Sequence, residues 1–253
     1  MITPTTTIQL LPTPGGLDEI EKGKTLFVVI DVLRACTTIA HALGAGANRI
    51  IPMENVEDAM RLAATLDRDA TLLCGERNST RIEGFDLGNS PREFLPEIVD
   101  GKTLVLCTTN GARAMAALAG AKACIATALV TLDASARRMA EVPSVTLVCA
   151  GASGYFARED FLCAGMLIER ALAHSSVDVR LDDGARTAHE FSRVHGSDPF
   201  AFLSSTDHGR SLVDLGFGDD LALAAEIDRF AFVPTLRDGR LVVERDAASA
   251  PPR

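Results

Sequence analysis

The chain contains no tryptophan and a single tyrosine among its 253 residues. It has no block of consecutive lysines or arginines, and its formal net charge is −9. Nucleic acid is held by cations that neutralise phosphates and by aromatic faces on which bases stack, so no nucleic-acid partner is expected. No apolar run approaches the roughly 20 residues needed to span a bilayer, so no membrane partner is expected either. The opening residues, MITPTTTIQLLPTP, lack the basic start and long apolar core of a signal peptide, which points to the cytoplasm. There is no C-x-x-C pair and no Cys/His cluster of zinc spacing. Cys36, Cys74, Cys107, Cys124, Cys149 and Cys163 are widely spaced and read as reduced, mostly buried small hydrophobes.

What the chain does have is an ordinary globular balance, 47% hydrophobic and 23% charged, in a length able to bury a large core. Its acidity constrains any anionic ligand. The mean field opposes such a ligand, so local arginines, helix N-termini or a metal ion must reverse the sign. The mean hydropathy of +0.17 leans towards a homodimer.

The organising stretch is TLFVVIDVLRACTTIAHAL, residues 25–43. Residues 26–30 form an uninterrupted apolar run, the pattern of a strand buried on both faces. It ends in Asp31, followed by Arg34, Cys36, Thr37 and Thr38, and then by helical spacing that Gly44 can close as a C-cap. The alternative is that Asp31 and Thr37 merely cap that helix. Further strands are expected at 7–11, 49–52, 70–74, 102–107, 121–126 and 144–149. Helices are expected at 55–66 with Asn55 as N-cap, from 111 to about 118, at about 132–139, from 157 to about 173, and near 183–194 and 221–227. A closing hairpin is suggested by 230–234 and 240–243 around Asp238-Gly239. Alternating strands and helices predict an α/β fold with a largely parallel, or mixed, sheet covered on both faces. Residues 1–245 read as one domain and 246–253 as a frayed C-terminal tail.

The segment GERNSTRIEGFDLGNSPREF, residues 75–94, is long and polar, as functional loops are. Ser90-Pro91-Arg92-Glu93 reads as a capping box, but Glu76, Arg77, Asp86 and Asn89 have no such explanation. Carboxylates at strand ends or in the loops after them are Asp31, Glu76, Asp86, Glu159 and Asp160. Two or three of these would suffice for a hard divalent cation, Mg²⁺ above all, although Glu159 and Asp160 also suit a first helical turn without any metal. Arg34, Arg77 and Arg113 can grip phosphate or carboxylate. Thr37, Thr38, Thr108, Thr109 and Asn110 add hydroxyl and amide groups, and Gly111, Gly151 and Gly154 allow close backbone approach. Together these groups suggest a phosphate–metal site. Cys107 to Arg113 also matches C-x₅-R, the spacing of thiol phosphatases, in which a thiolate attacks phosphorus.

Read together, VVIDVLRACTT, GERNSTRIEGFDLGNSP, TTNGAR, CAGASGYFARED with the following FLCAG, and HGRSLVDLGFGDDL resemble the 2-phosphosulfolactate phosphatase family of coenzyme M biosynthesis. The matching pieces run from Val28 to Leu221. The resemblance implies a Mg²⁺-dependent acid phosphatase on a three-layer α/β/α sandwich, with a small polyanionic phosphomonoester as substrate. On that reading Mg²⁺ bridges the phosphate and two or more of the five carboxylates, while Arg34, Arg113 and residues 108–111 hold phosphate oxygens. Arg77 is assigned to the carboxylate or sulfonate end. Whether water attacks directly or Asp31 forms an aspartyl-phosphate stays open. Cys36 and Cys107 stand where the family is expected to have mostly threonine, serine or alanine, so its activity should not need a thiolate. The rivals are a thiol phosphatase using Cys107 and a non-catalytic binder of an anionic metabolite.

Overall fold

The computed structural model describes residues 5–243, so the expected tail at 246–253 lies outside the described residues. Strand β1 (Thr5–Leu11) opens it and β2 (Leu26–Ile30) follows. Every residue of β2 is buried. Leu26, Val28 and Ile30 enter one core, and Phe27 and Val29 enter the other. Side chains alternate across a strand, so two cores on one strand require a sheet covered on both faces. Each such side chain contributes about 1.5–3 kcal/mol on burial.

The chain then alternates through α1 (Ala35–Gly44), β3 (Arg49–Met53), α2 (Val56–Ala64), β4 (Thr71–Arg77), β5 (Thr80–Arg81), α3 (Pro96–Val99), β6 (Thr103–Cys107), α4 (Gly111–Ala117) and β7 (Ala123–Thr127). Next come α5 (Leu132–Ala140), β8 (Ser144–Cys149), α6 (Arg158–His174), β9 (Asp178–Leu181) and α7 (Asp183–His195). Helices α8 (Pro199–Ser205), α9 (Asp207–Asp214) and α10 (Gly218–Ala224) lead to a hairpin of β10 (Pro234–Arg237) and β11 (Arg240–Val243).

The strands join in the order β5-β4-β6-β3-β11-β10-β7-β2-β8-β1-β9. Strands β4, β6 and β3 form one parallel set, and β7, β2, β8, β1 and β9 form another. The terminal hairpin sits between them, antiparallel to β3 on one side and to β7 on the other. The sheet is therefore mixed, with helices on both faces. Helices α5 to α7 and parts of α8 to α10 fill one core, and α1 and α4 the other. Ala59 of α2 covers Leu73, Val105 and Cys107.

Several local expectations shift. Gly44 is the last helical residue rather than the C-cap, and the left-handed turn falls at Gly46, φ +99. Asn55 stands at the N-cap of α2, but its side chain bonds Asp58 and not a backbone amide. The hairpin starts at Pro234 and not at Phe230, whose ring packs edge-on against His41. Asp238 and Gly239 both take positive φ, as a two-residue hairpin turn requires. Strand β9 and helices α8 and α9 were not expected. Strand β9 is only four residues long, the apolar residues of α8 run consecutively from 199 to 203, and α9 carries only the adjacent pair Leu212 and Val213, so none of them sets a period.

Candidate active site

The parallel strands β2, β4, β6 and β8 deliver their carboxyl ends to one cavity of about 360 Å³. Open α/β sheets present ligand sites at that edge. Asp31, Leu33 and Arg34 line the cavity from the turn after β2, and Thr108, Thr109 and Asn110 from the turn after β6. Glu76, Asn78, Ser79 and Asn89 come from the long polar segment, and Ala152 and Ser153 from the loop after β8. Asp207, His208 and Ser211 enter from α9.

Asp31 is buried, and one of its oxygens accepts from Ala35 N at 3.0 Å, so the capping role is real. Its other oxygen faces Gly111, where an added Cβ would lie 2.6 Å away. Burial pushes the Asp31 carboxyl up to about 6, against the pull of His208 and the Ala35 bond, with Glu76 and Glu159 adding repulsion. Ionising this carboxyl in place is therefore costly.

Arg34 is buried too. Its guanidinium donates to Asp220 Oδ2 at 2.8 Å and to Ser79 O at 2.7 Å, and it lies 4.4 Å over the Phe217 ring. The expected capping box of Ser90 and Glu93 is present, and its Ser90 hydroxyl also donates to the other Asp220 oxygen at 2.6 Å and so braces this ion pair. The Leu33–Arg34 peptide bond is cis. Both oxygens of Glu76 accept backbone amides, from Ser79 at 2.9 Å and Thr109 at 2.8 Å, which ties the polar segment to the β6 turn. Thr108 Oγ1 accepts from Ala112 N at 2.9 Å and keeps its own proton to donate. Asn110 Oδ1 receives Ser153 N at 2.9 Å and fixes the loop after β8.

Among the described residues, two buried polar atoms of cavity-lining residues have no partner, Asn89 Oδ1 and Thr109 Oγ1. Buried polar groups are rarely left unsatisfied, because each costs about 1–3 kcal/mol. The Thr109 hydroxyl can still donate, whereas Asn89 Oδ1 can only accept, so an anion could satisfy the first and not the second.

The sequence carries the same message from outside. The family model described as 2-phosphosulpholactate phosphatase matches residues 12–239. A relative from Caldanaerobacter subterraneus subsp. tengcongensis, named probable 2-phosphosulfolactate phosphatase, is 37% identical over 94% of this chain and 99% of its own. Similarly named relatives from Thermotoga maritima and Clostridium beijerinckii are 36% and 33% identical, over 86% and 94% of this chain and 91% and 99% of theirs. The chain belongs to the 2-phosphosulfolactate phosphatase family. That name denotes a phosphoric monoester hydrolase.

Within this 2-phosphosulfolactate phosphatase fold, several residues singled out in the sequence stand apart from the cavity. Arg77 follows Glu76 on β4 and so points to the opposite face. Its guanidinium bonds Glu76 O, Glu54 O and Cys107 Sγ at 2.9, 2.8 and 3.3 Å. Arg113 lies two residues beyond Gly111 on α4, a spacing that turns it away from Asp31. It is exposed, 3.4 Å from Glu54, on a neighbouring cavity that shares Thr109 and Asn110 with the first. Asp86 accepts Leu73 N at 2.8 Å near the start of β4, the end remote from the cavity, with Arg68 at 3.7 Å. Thr37 and Thr38 are fully buried struts, donating to Val32 O at 2.7 Å and Asn89 O at 2.9 Å. Gly151 makes the turn after β8 at φ +72, where a Cβ would lie 2.3 Å from Tyr155 O.

Glu159 and Asp160 are buried behind the cavity wall, not on it. Asp160 spends both oxygens on the backbone, accepting Val32 N at 2.9 Å and Gly151 N at 3.0 Å. Burial, then repulsion from Asp31 and Glu159, keeps its carboxyl well above the usual range. Glu159 holds His208, with Oε1 at 3.2 Å from Nδ1. Burial of His208 disfavours its charge, but the Glu159 bond and the charges of Glu159 and Asp31 win and raise its pKa above the ordinary value. His208 and Asp220 carry no role in the sequence reading. Their one signal was their place in HGRSLVDLGFGDDL.

Cys107 belongs to the α2 core, not to the cavity. Its thiol donates towards Glu54 O at 3.5 Å, and burial raises its pKa despite the nearby Arg77. Cys107 lines neither cavity, and its raised pKa disfavours the thiolate that a C-x₅-R nucleophile needs.

Proposed function

We propose that this cavity hydrolyses 2-phosphosulfolactate to sulfolactate and phosphate, with Mg²⁺, as a step of coenzyme M biosynthesis. The observation that carries the reading is the convergence of the buried side chains Asp31, Glu76, Arg34 and Thr108 on one cavity wall, two carboxylates to hold a cation beside a guanidinium and a hydroxyl to hold an anion. Those residues lie in the segments that identify the family.

The donor chemistry fits a magnesium ion of limited protein ligation. Among the described residues no group of three or more His, Cys, Asp or Glu side chains is gathered to cage a metal. Mg²⁺ does not require one, since it is commonly held by one or two carboxylates with waters and substrate phosphate completing the shell. Asp31 and Glu76 are the buried carboxylates on the cavity wall that would hold it. When bound, it supplies Lewis-acid polarisation of the phosphoryl oxygens and relieves the repulsion between those carboxylates.

The chain's own groups supply the rest. Arg34, fixed by Asp220 and Ser79, presents a cation whose direction is set before substrate arrives, so little ordering is needed as charge builds on phosphorus. Thr108 and Thr109 offer hydroxyl protons, and Asn89 an amide, to phosphoryl, sulfonate or carboxylate oxygens. Asp31 stands where it can accept the proton of an attacking water or attack phosphorus itself, and solvent ¹⁸O under single turnover separates the two. Phosphate release from small phosphorylated acids, with and without Mg²⁺, tests the function. Release from 2-phosphosulfolactate that EDTA abolishes is expected. Binding without release, seen as ligand-dependent thermal stabilisation alone, would make the protein a metabolite binder instead.

No helix among the described residues is long and apolar enough to cross a membrane. A cytoplasmic homodimer completes the proposal, and light scattering on the purified chain reads its mass directly.

A further inference from the structure

The leaving group of an alkyl phosphomonoester is an alkoxide, a poor one unless it is protonated as the bond to phosphorus breaks. Few groups on the cavity wall can give that proton. The hydroxyls of Thr108, Thr109, Ser153 and Ser211 are far too weak as acids. Asp207 is almost fully exposed and paired with Arg210, turned to solvent. Asp31 is assigned to the cation and the attacking side, and Glu76 has both oxygens on backbone amides.

His208 differs from all of these. It lines the cavity beside Asp31 and Arg34 from the first turn of α9. Its Nδ1 is engaged by Glu159 Oε1 at 3.2 Å, and Glu159 is only 2% exposed. Among the described residues the ring has no other hydrogen-bond partner. A carboxylate on Nδ1 fixes the ring plane and favours the doubly protonated imidazole, which leaves Nε2–H as the free donor. An acid–base histidine oriented by a buried carboxylate is a recurrent way to hold a proton at one atom.

We infer that His208 is the general acid of this hydrolysis, giving its Nε2 proton to the oxygen that leaves phosphorus, with Glu159 as the positioning residue. The inference rests on the phosphatase reading above. In the step, the bond between phosphorus and the ester oxygen breaks with its electron pair left on oxygen. The Nε2–H bond breaks and that proton joins the same oxygen, yielding the hydroxy acid. Water supplies the new bond to phosphorus, and the proton it releases returns His208 to the charged form.

The test compares two esters of the same shape and charge, 2-phospholactate and its analogue with sulfur in place of the bridging oxygen. A thiolate leaves without a proton, so only the oxygen ester needs the acid. His208→Gln is expected to lower kcat on the oxygen ester by roughly a hundredfold or more, and on the sulfur ester by less than about tenfold. Glu159→Gln, which keeps the imidazole but removes its anion, is expected to shift the same ratio in the same direction by a smaller factor. Equal losses on the two esters, or no loss on either, overturn the acid role. Should His208→Gln fail to fold by circular dichroism, the Glu159→Gln ratio decides, and an unchanged ratio there overturns the inference. A wild-type protein that releases phosphate from neither these esters nor 2-phosphosulfolactate removes the phosphatase reading itself, and the acid role with it.

Discussion

Replacing Asp31 with asparagine separates a helix cap from a functional carboxylate. The swap is nearly isosteric and keeps an oxygen for the Ala35 amide, now bonded at 3.0 Å, so a cap alone predicts little change in stability or rate. The buried charge predicts otherwise. In the fold the Asp31 carboxyl rises from 3.8 to about 6, chiefly through burial. At about 1.4 kcal/mol per pKa unit, this corresponds to about 3 kcal/mol. The native state holds the proton more tightly than the unfolded chain does. Wild-type stability is therefore fully present below about pH 4, falls as pH rises through 6, and is level above that. Asparagine does not titrate, so apo Asp31→Asn should match wild type near pH 4 and exceed it by about 3 kcal/mol at pH 8. Urea melts of both apo proteins at the two pH values measure the difference. Added Mg²⁺ should recover stability at pH 8 for wild type but not for the variant, whose kcat should fall roughly a hundredfold or more. A stability difference that does not change with pH would refute the buried-charge reasoning. Near-wild-type turnover at saturating Mg²⁺ would return Asp31 to the role of a cap.

Other positions give independent checks. Gly111→Ala would set a methyl 2.6 Å from an Asp31 oxygen and 2.7 Å from the Ala35 methyl, so kcat should drop by more than about tenfold as Asp31 is displaced, read by steady-state phosphate release. Arg34→Met strands the buried Asp220 carboxylate and should cost roughly 3–5 kcal/mol in urea unfolding, whereas Arg34→Met with Asp220→Leu should recover much of that without restoring activity. Cys107→Ser keeps the shape of a side chain packed under α2 and should leave kcat within about threefold, so a dead but folded serine variant would revive the thiol mechanism. Arg113→Ala removes an exposed partner of Glu54 and should change stability by less than about 1 kcal/mol in the same melts.

Much of the cavity was legible locally. The run ending at Asp31 is apolar at every position because both faces of β2 are covered, and its boundaries follow from that composition alone. Glu76, Thr108, Thr109 and Asn110 were found because strand ends in an α/β sheet converge on one edge, which needs no knowledge of strand order. The assignments that failed to reach the cavity depend on direction. Arg77 and Glu76 are neighbours in sequence, yet consecutive strand residues face opposite sides, and only the phase of β4 in the sheet says which is which. Arg113 depends on the roll of α4 about its axis, set where Gly111 packs on Asp31.

The sequence by itself determined the alternating α/β order, the two-sided burial of β2, and the set of strand ends from which a site could be built. Those are properties of contiguous residues, written in hydrophobic period and turn chemistry. Tertiary structure alone decided the rest. It placed the terminal hairpin between two parallel strand sets and brought Asp220 to Arg34 across 186 positions of chain. It also swung α9 over the cavity so that His208 meets Glu159. Pairings at that separation leave no local pattern, because each partner is polar and isolated in its own segment and gains its role only where the packing of distant apolar faces sets it down.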